Sequence, residues 1–210
     1  MSEITIPELE KYLWDGAVIL RGKMGAGSYK NYLFPLIFYK RICDVYDEEY
    51  KAALEESDND VEYAANRDNH KFVISPEAHW NTIRDTPSDI GIAITHALKK
   101  IESENRDLSG IFGDAAWTNK SRLPDDLLKD LIEHFSTVVL SNENCPADEL
   151  GLGYEYLVGR FADDSGHTAQ EFYTNRTIVQ LMTELLQPKP GESIYDPTCG
   201  SAGMLISSVA

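Results

Sequence analysis

Gly191-Glu192-Ser193-Ile194-Tyr195-Asp196-Pro197-Thr198-Cys199-Gly200-Ser201-Ala202-Gly203-Met204-Leu205 reads as a turn, a short strand over 193–195, a glycine loop and a helix start. A glycine loop between a strand end and a helix start lets the backbone approach a ligand closely. In an open α/β sheet that is where ligands bind. Asp196, at the carboxyl end of the strand, is placed to accept backbone donors or to hold a cationic ligand group. A bare Gly-x-x-Gly also serves as a packing turn, and both readings stay open on the spacing alone. The spacing fails the Gly-x-Gly-x-x-Gly fingerprint, which disfavours a nicotinamide cofactor.

Some twenty residues upstream lies Glu171-Phe172-Tyr173-Thr174-Asn175-Arg176, followed by the amphipathic run Ile178, Val179, Leu181, Met182, Leu185 and Leu186. Thr174 or Asn175 is a candidate cap for that helix. Phe172 and Tyr173 then stand just before it, as core residues or as ligand contacts.

The first half of the chain carries helical periodicity. Pro7 suits the first turn of a helix that runs through Leu9, Tyr12, Leu13 and Leu20 and stops near Gly22. After a turn at Gly25 and Gly27, Ser28 is the expected cap of a long helix with two apolar stripes. One stripe holds Tyr29, Tyr32, Leu33, Leu36 and Ile37; the other holds Phe34, Phe38, Ile42 and Val45. Pro35 inside it is expected to kink or split it. Phe72-Val73-Ile74 reads as a short strand. Ser88, Pro124 and Pro146 mark three further helix starts, and 109–122 reads as loop.

Nineteen basic residues against thirty-five acidic ones give a net charge of −16. That balance argues against a chain that clamps DNA through bulk charge. Half of it lies between Asp44 and Asp68, where ten acids face two bases; the readings are a solvated helix end or a face for a basic partner. The three cysteines lie far apart, with no Cys-x-x-Cys, so no disulfide framework is expected. No histidine pair has metal-ligand spacing, and no metal is expected. The longest apolar stretch, Leu33 to Tyr39, is too short to cross a membrane. The start lacks a secretory signal, and the chain reads as cytoplasmic. Composition changes near Asn142, which divides the chain into 1–144 and 145–210.

Taken together, the segments resemble one family. Phe172-Tyr173-Thr174, a helix, Pro190-Gly191-Glu192 and Tyr195-Asp196-Pro197-Thr198-Cys199-Gly200-Ser201 are similar to the opening of the modification subunit of type I restriction-modification systems. These are adenine-N6 DNA methyltransferases that use S-adenosyl-L-methionine. Leu152-Gly153-Tyr154-Glu155-Tyr156-Leu157 resembles the helix leading into the catalytic domain. Leu13-Trp14 through Leu20-Arg21, and Tyr29 through Asp44, resemble the N-terminal helical domain. The resemblance implies a mainly α N-terminal helical domain over 1–144. It implies a linker helix and the beginning of an α/β Rossmann-like methyltransferase domain over 145–210.

By position, Glu171, Phe172, Tyr173, Thr174, Asn175 and Arg176 match the segment over the methionine end of the cofactor. Asp196, Pro197, Thr198, Gly200, Ser201, Ala202 and Gly203 match the loop around its amino-acid and sulfonium part. Asn175 stands where the family usually has proline, and Ala202 where it usually has glycine. The implied partners are a specificity subunit, a second modification subunit and a restriction subunit, with double-stranded DNA reached through the complex and no membrane. The family's catalytic Asn-Pro-Pro-aromatic, which holds the amino group of a flipped adenine, is absent from these residues. The chain therefore reads as the front end of a methyltransferase, with no catalytic residue of its own. Two other readings are a non-enzymatic helical interaction module with a degenerate tail, and a nucleotide-dependent oxidoreductase fragment.

Overall fold

Thr5-Ile6-Pro7-Glu8 opens the first helix, α1 (Ile6–Ile19), with a capping box: the Glu8 carboxylate accepts from Thr5 N (3.0 Å) and Thr5 Oγ1 (2.6 Å). The computed structural model describes residues 3–25, 28–165, 174–199 and 202–209. Along α1 the positions Leu9, Tyr12, Leu13, Gly16 and Ala17 are buried, the i, i+3, i+4 stripe that the periodicity called for.

Helix α2 (Lys30–Glu56) is the axis of the core and runs unbroken through Pro35. Pro35 removes one backbone donor, a cost of about 3 kcal/mol. Burial on two sides offsets it, since Leu33, Leu36, Ile37, Tyr39, Ile42 and Cys43 are all within 1% of full burial. The expected cap at Ser28 is not used. The N-cap is Tyr29, with helical backbone and no side-chain cap bond, and its ring instead lies edge-on to Phe161 at 5.7 Å. Packing of an aromatic ring has displaced a polar cap.

Beyond α2 come α3 (Val61–Ala64), α4 (Trp80–Arg84), α5 (Ile90–Glu104), α6 (Asp125–Phe135) and α7 (Ala147–Ser165). The start expected at Ser88 falls on Asp89, a residue with φ 57° whose own side chain caps nothing. The Asp125 carboxylate of α6 reaches across to accept from Asp89 N (2.9 Å) and Ile90 N (3.1 Å), so one helix caps another. The 109–122 loop is pinned to α2 by two aromatics, Phe112 beside Phe38 and Trp117 edge-on to Tyr32. Helix α7 lies on α1 and α2: Gly153 faces Leu13, Tyr154 meets Phe34, and Phe161 touches Trp14 and Phe34.

Two strands were expected, and neither forms among the described residues, where the sole bridge is an isolated one between Arg21 and Met24. At 72–74 the reason is local. Asn105 accepts from Val73 N and donates to Val73 O, both at 2.8 Å, so a side-chain amide takes the place of a neighbouring strand. At 193–195 no described strand offers pairing, and Tyr195 is 87% exposed. The described fold is therefore helical throughout, including α8 (Arg176–Leu186) and α9 (Gly203–Ser207) in its last part.

The N-terminal end of the acidic run does intramolecular work, while Asp47, Glu55, Glu56, Asp58, Asp60, Glu62 and Asp68 stay exposed, as the solvated reading had it. Asp44 is buried, pairs with the buried Lys40 and accepts from Leu140 N (2.6 Å). Arg41, also buried, donates to the carbonyls of Leu140, Ser141 and Cys145 at 2.5–2.7 Å and to Asn142 Oδ1 at 2.6 Å. Glu48 accepts from Asn142 N and Glu143 N. Burial pushes its carboxyl up, but backbone donors from Glu143 and Asn142 together with the Ser141 and Asn142 side chains outweigh burial and leave it below the usual range. The run Phe38 to Asp44 that carries the family resemblance is thus a clamp on 140–145, the connection between α6 and α7.

Asp44→Asn should cost about 3–5 kcal/mol, because it strands Lys40 in the core without a counter-charge. Adding Lys40→Met should recover most of that loss. Denaturant unfolding of both variants reads it, and wild-type stability in Asp44→Asn alone would show that the pair does not matter.

Cys43 and Cys145 are buried, and burial raises both thiols, Cys145 to about 11, which makes them unreactive. Among the described residues no three His, Cys, Asp or Glu side chains converge as a metal site, and no helix is long and apolar enough to cross a membrane.

Candidate functional site

Asn175 starts α8 as its cap: Oδ1 accepts from Thr177 N at 2.9 Å, and its carbonyl accepts from Ile178 N and Val179 N. Of the two caps that the residue types allowed, Asn175 serves. The helix buries Val179 and exposes Ile178, Leu181, Met182, Leu185 and Leu186. Thr183 Oγ1, bonded to Val179 O, also meets Ser207 Oγ of α9 at 3.2 Å. The two segments singled out in the sequence are joined through the helices that follow them.

Between those helices, Gly191 takes φ +89°, a conformation that requires glycine, and Glu192 closes the turn on Lys189 N at 2.9 Å. The extended stretch 192–196 ends at Asp196. There Oδ1 accepts from Thr198 N (2.9 Å) and Thr198 Oγ1 (3.3 Å), an Asx turn that sets the loop's direction. Asp196 is half-buried, while Pro197, Thr198 and Cys199 are exposed. Ala202 precedes α9 at φ 62°, in the left-handed region that favours glycine. The sequence departure at 202 is thus also a strained residue, at roughly 1–2 kcal/mol. Gly203 opens α9, and a side chain there would meet no atom within 4 Å.

Thr174, Asn175, Asp196, Pro197, Thr198, Ala202 and Gly203 are therefore placed, and Arg176 is placed by its backbone at the head of α8. Glu171, Phe172, Tyr173, Gly200 and Ser201 lie outside the described residues. The placed residues suit a ligand with a cationic group near Asp196, whose second oxygen takes no part in the Asx turn. Reading the sequence missed three cations, Arg67, Lys71 and Arg106, that gather around an open cleft. They lie up to 39 residues apart in the chain, and no local pattern joins them.

Residues 9–135 match the family described as HsdM N-terminal domain, and residues 146–210 match N-6 DNA Methylase. The chain is similar to the Type I restriction enzyme MjaIX methylase subunit of Methanocaldococcus jannaschii, at 27% identity over 226 residues. That alignment covers 97% of this chain and 39% of the relative. It is similar to the HindI methylase subunit of Haemophilus influenzae at 30% identity over 129 residues, 58% of this chain and 28% of the relative. In fold it resembles the crystal structure of a type I restriction-modification system methyltransferase subunit from Streptococcus thermophilus. The TM-score is 0.75 at 24% identity, covering 97% of this chain and 49% of that one. The chain thus spans less than half the length of these relatives.

Proposed function

The chain belongs to the type I restriction-modification methylase subunits, carrying the HsdM N-terminal domain and the start of the N-6 DNA methylase domain, and on that premise we propose that it supplies the helical assembly domain and first cofactor segments of an adenine-N6 DNA methyltransferase. The observation that carries this reading is the order of the two family matches, 9–135 and then 146–210, along one chain. The division proposed is 1–144 for the helical domain and 145–210 for the linker helix and the opening of an α/β Rossmann-like domain.

S-adenosyl-L-methionine is the proposed cofactor, and it supplies an electrophilic methyl group when bound. The residues assigned to it are Glu171, Phe172, Tyr173, Thr174, Asn175, Arg176, Asp196, Pro197, Thr198, Gly200, Ser201, Ala202 and Gly203. In this reading Asp196 holds the cofactor's ammonium group while its Asx turn shapes the loop. The proposed partners are a specificity subunit, a second modification subunit and a restriction subunit, with double-stranded DNA reached through that complex. A cytoplasmic location belongs to the same proposal.

A second reading, an interaction module with a degenerate tail, draws on the strained Ala202. Calorimetry separates the two. In a chain extended to the length of its relatives, Asp196→Asn should weaken S-adenosylmethionine binding by roughly 1–3 kcal/mol, the range for losing a charge-assisted hydrogen bond. Wild-type affinity in that variant would remove Asp196 from the site, and no binding by the extended parent would favour the second reading.

A further inference from the structure

The segment from Asp58 to Lys71, which holds α3, lies on the C-terminal half of α2 with little packing of its own. Among its residues only Ala64 is buried as a whole. It is entered through Asp58 and Asn59, two successive non-glycine residues in the left-handed region at φ 55° and 70°, a joint that costs free energy to hold. Near the other end the His70 side chain is 1% exposed. Its ring stacks on Tyr46 with centroids 4.2 Å apart and lies 6.3 Å from the Tyr50 ring, both of α2.

The two ring nitrogens of His70 differ. Nε2 lies 2.7 Å from the carbonyl oxygen of Ala64, so it carries a hydrogen and donates. Nδ1 is buried without a hydrogen-bond partner and stands 3.6 Å from Glu49 Oε2 of α2. That oxygen accepts from Lys71 N at 3.0 Å, which holds the carboxylate beside the ring. His79 makes the contrast: its Nδ1 accepts from Asn81 N at 3.2 Å and its Nε2 donates to Asp47 Oδ1 at 2.9 Å, so the neutral ring is satisfied at both nitrogens. The other charged neighbours of His70 are Arg67 and Asp68 on its own segment, both exposed, and Lys71, whose Nζ lies over the Phe72 ring. The His79–Asp47 pair stands on the far side of Tyr46, with the His79 and Tyr46 rings 6.4 Å apart. Burial pushes the Tyr46 hydroxyl up, so it stays neutral near pH 7.

We infer that His70 is a proton-operated latch: a proton on Nδ1 pairs the ring with Glu49 and fastens the acidic segment 58–71 onto α2, and loss of that proton loosens it. With the ring neutral, closure buries a lone pair that points at a carboxylate with no donor between them. With the ring protonated, the same nitrogen donates to that carboxylate out of reach of water, where a charge-assisted hydrogen bond is strong. The closed segment therefore binds the proton more tightly than the open one. Closure is favoured at low pH and weakens as pH rises through the imidazole range, around pH 6.5 for an ordinary histidine. What the latch governs is the presentation of Asp58, Asp60, Glu62 and Asp68 together with the exposed Val61 and Tyr63. None of the residues assigned to S-adenosylmethionine takes part, so failure of the latch would leave that assignment standing.

Millisecond hydrogen exchange of the 210-residue chain at about pH 5.5 and about pH 8, corrected for intrinsic amide rates, tests it. Protection of amides 61–71 should fall roughly fivefold or more from the lower to the higher pH, while amides of α5 hold theirs. Glu49→Gln should flatten that dependence to less than about twofold with the segment still closed at both pH values, because a glutamine amide donates to the neutral Nδ1 and its oxygen still accepts from Lys71 N. His79→Gln should keep the dependence of the parent. Should Glu49→Gln open the segment outright, His70→Phe, which keeps a ring on Tyr46, must lose the dependence in its place. Protection that does not change with pH, protection that rises with pH, or full dependence in Glu49→Gln or His70→Phe would each overturn the inference.

Discussion

Gly91→Ala should destabilise the helical body by about 3 kcal/mol or more and lower its Tm by roughly 6–12 °C. A Cβ on Gly91 would stand 2.1 Å from the carbonyl oxygen of Trp117 and 2.9 Å from its carbon. Those are backbone atoms, so no rotamer change relieves the contact. Trp117 itself is 3% exposed and packs edge-on to Tyr32 at 5.2 Å, which ties the loop to α2. The added methyl must therefore push α5 away from the loop or pull Trp117 out of the core. Alanine's better helix propensity returns at most about 1 kcal/mol. Gly159→Ala is the matched control: it lies in α7 with nothing within 4 Å of its Cβ position, and it should gain about 0.5–1 kcal/mol. Thermal unfolding followed by circular dichroism compares the two. Similar Tm values for both variants would mean that Gly91 is not a close-approach position.

The contrast between those two glycines shows what a linear reading reaches. Periodicity and punctuation locate α1, α5, α6, α7 and α8 because their signals lie within one or two turns: the Leu9, Leu13 stripe, Pro124 and Pro146 just before their helices, Asn175 at its cap. Gly91 and Gly159 look alike in sequence, and only the arrival of Trp117 separates them. Likewise Asp44 and Glu48 read as part of a charged run that is solvated or faces a partner, because the backbone groups they bind lie about 95 residues away. Val73 reads as strand because it lies in Phe72-Val73-Ile74, aromatic and β-branched residues that suit strands, yet its pairing partner is the Asn105 side chain. In the candidate site the local turns were legible, at Asn175 and at Asp196, because each is closed by residues two positions on. How the two segments proposed for the cofactor would face one ligand was not, since that depends on the layer expected to cover α8.

That uncovered layer leads to the largest functional effect expected of this chain. Ile178, Leu181, Met182 and Leu185 of α8 are 43–75% exposed, and Ile194, Tyr195, Ile206 and Val209 are exposed beside them in sequence. An apolar face of this extent seeks cover, and the proposed function assigns that cover to the sheet of a methyltransferase domain. The 210 residues also hold no Asn-Pro-Pro-aromatic to receive a flipped adenine.

Radiolabelled methyl transfer from S-adenosylmethionine to unmethylated target DNA tests the account most directly. The assay is run with the 210-residue chain, then with the remainder of a relative-length subunit added in cis or as a second chain, each with the specificity subunit present. Background incorporation is expected for the 210 residues, and transfer at adenine N6 once the remainder is supplied. Robust transfer by the 210 residues without it would contradict the account, and so would its absence from the completed complex.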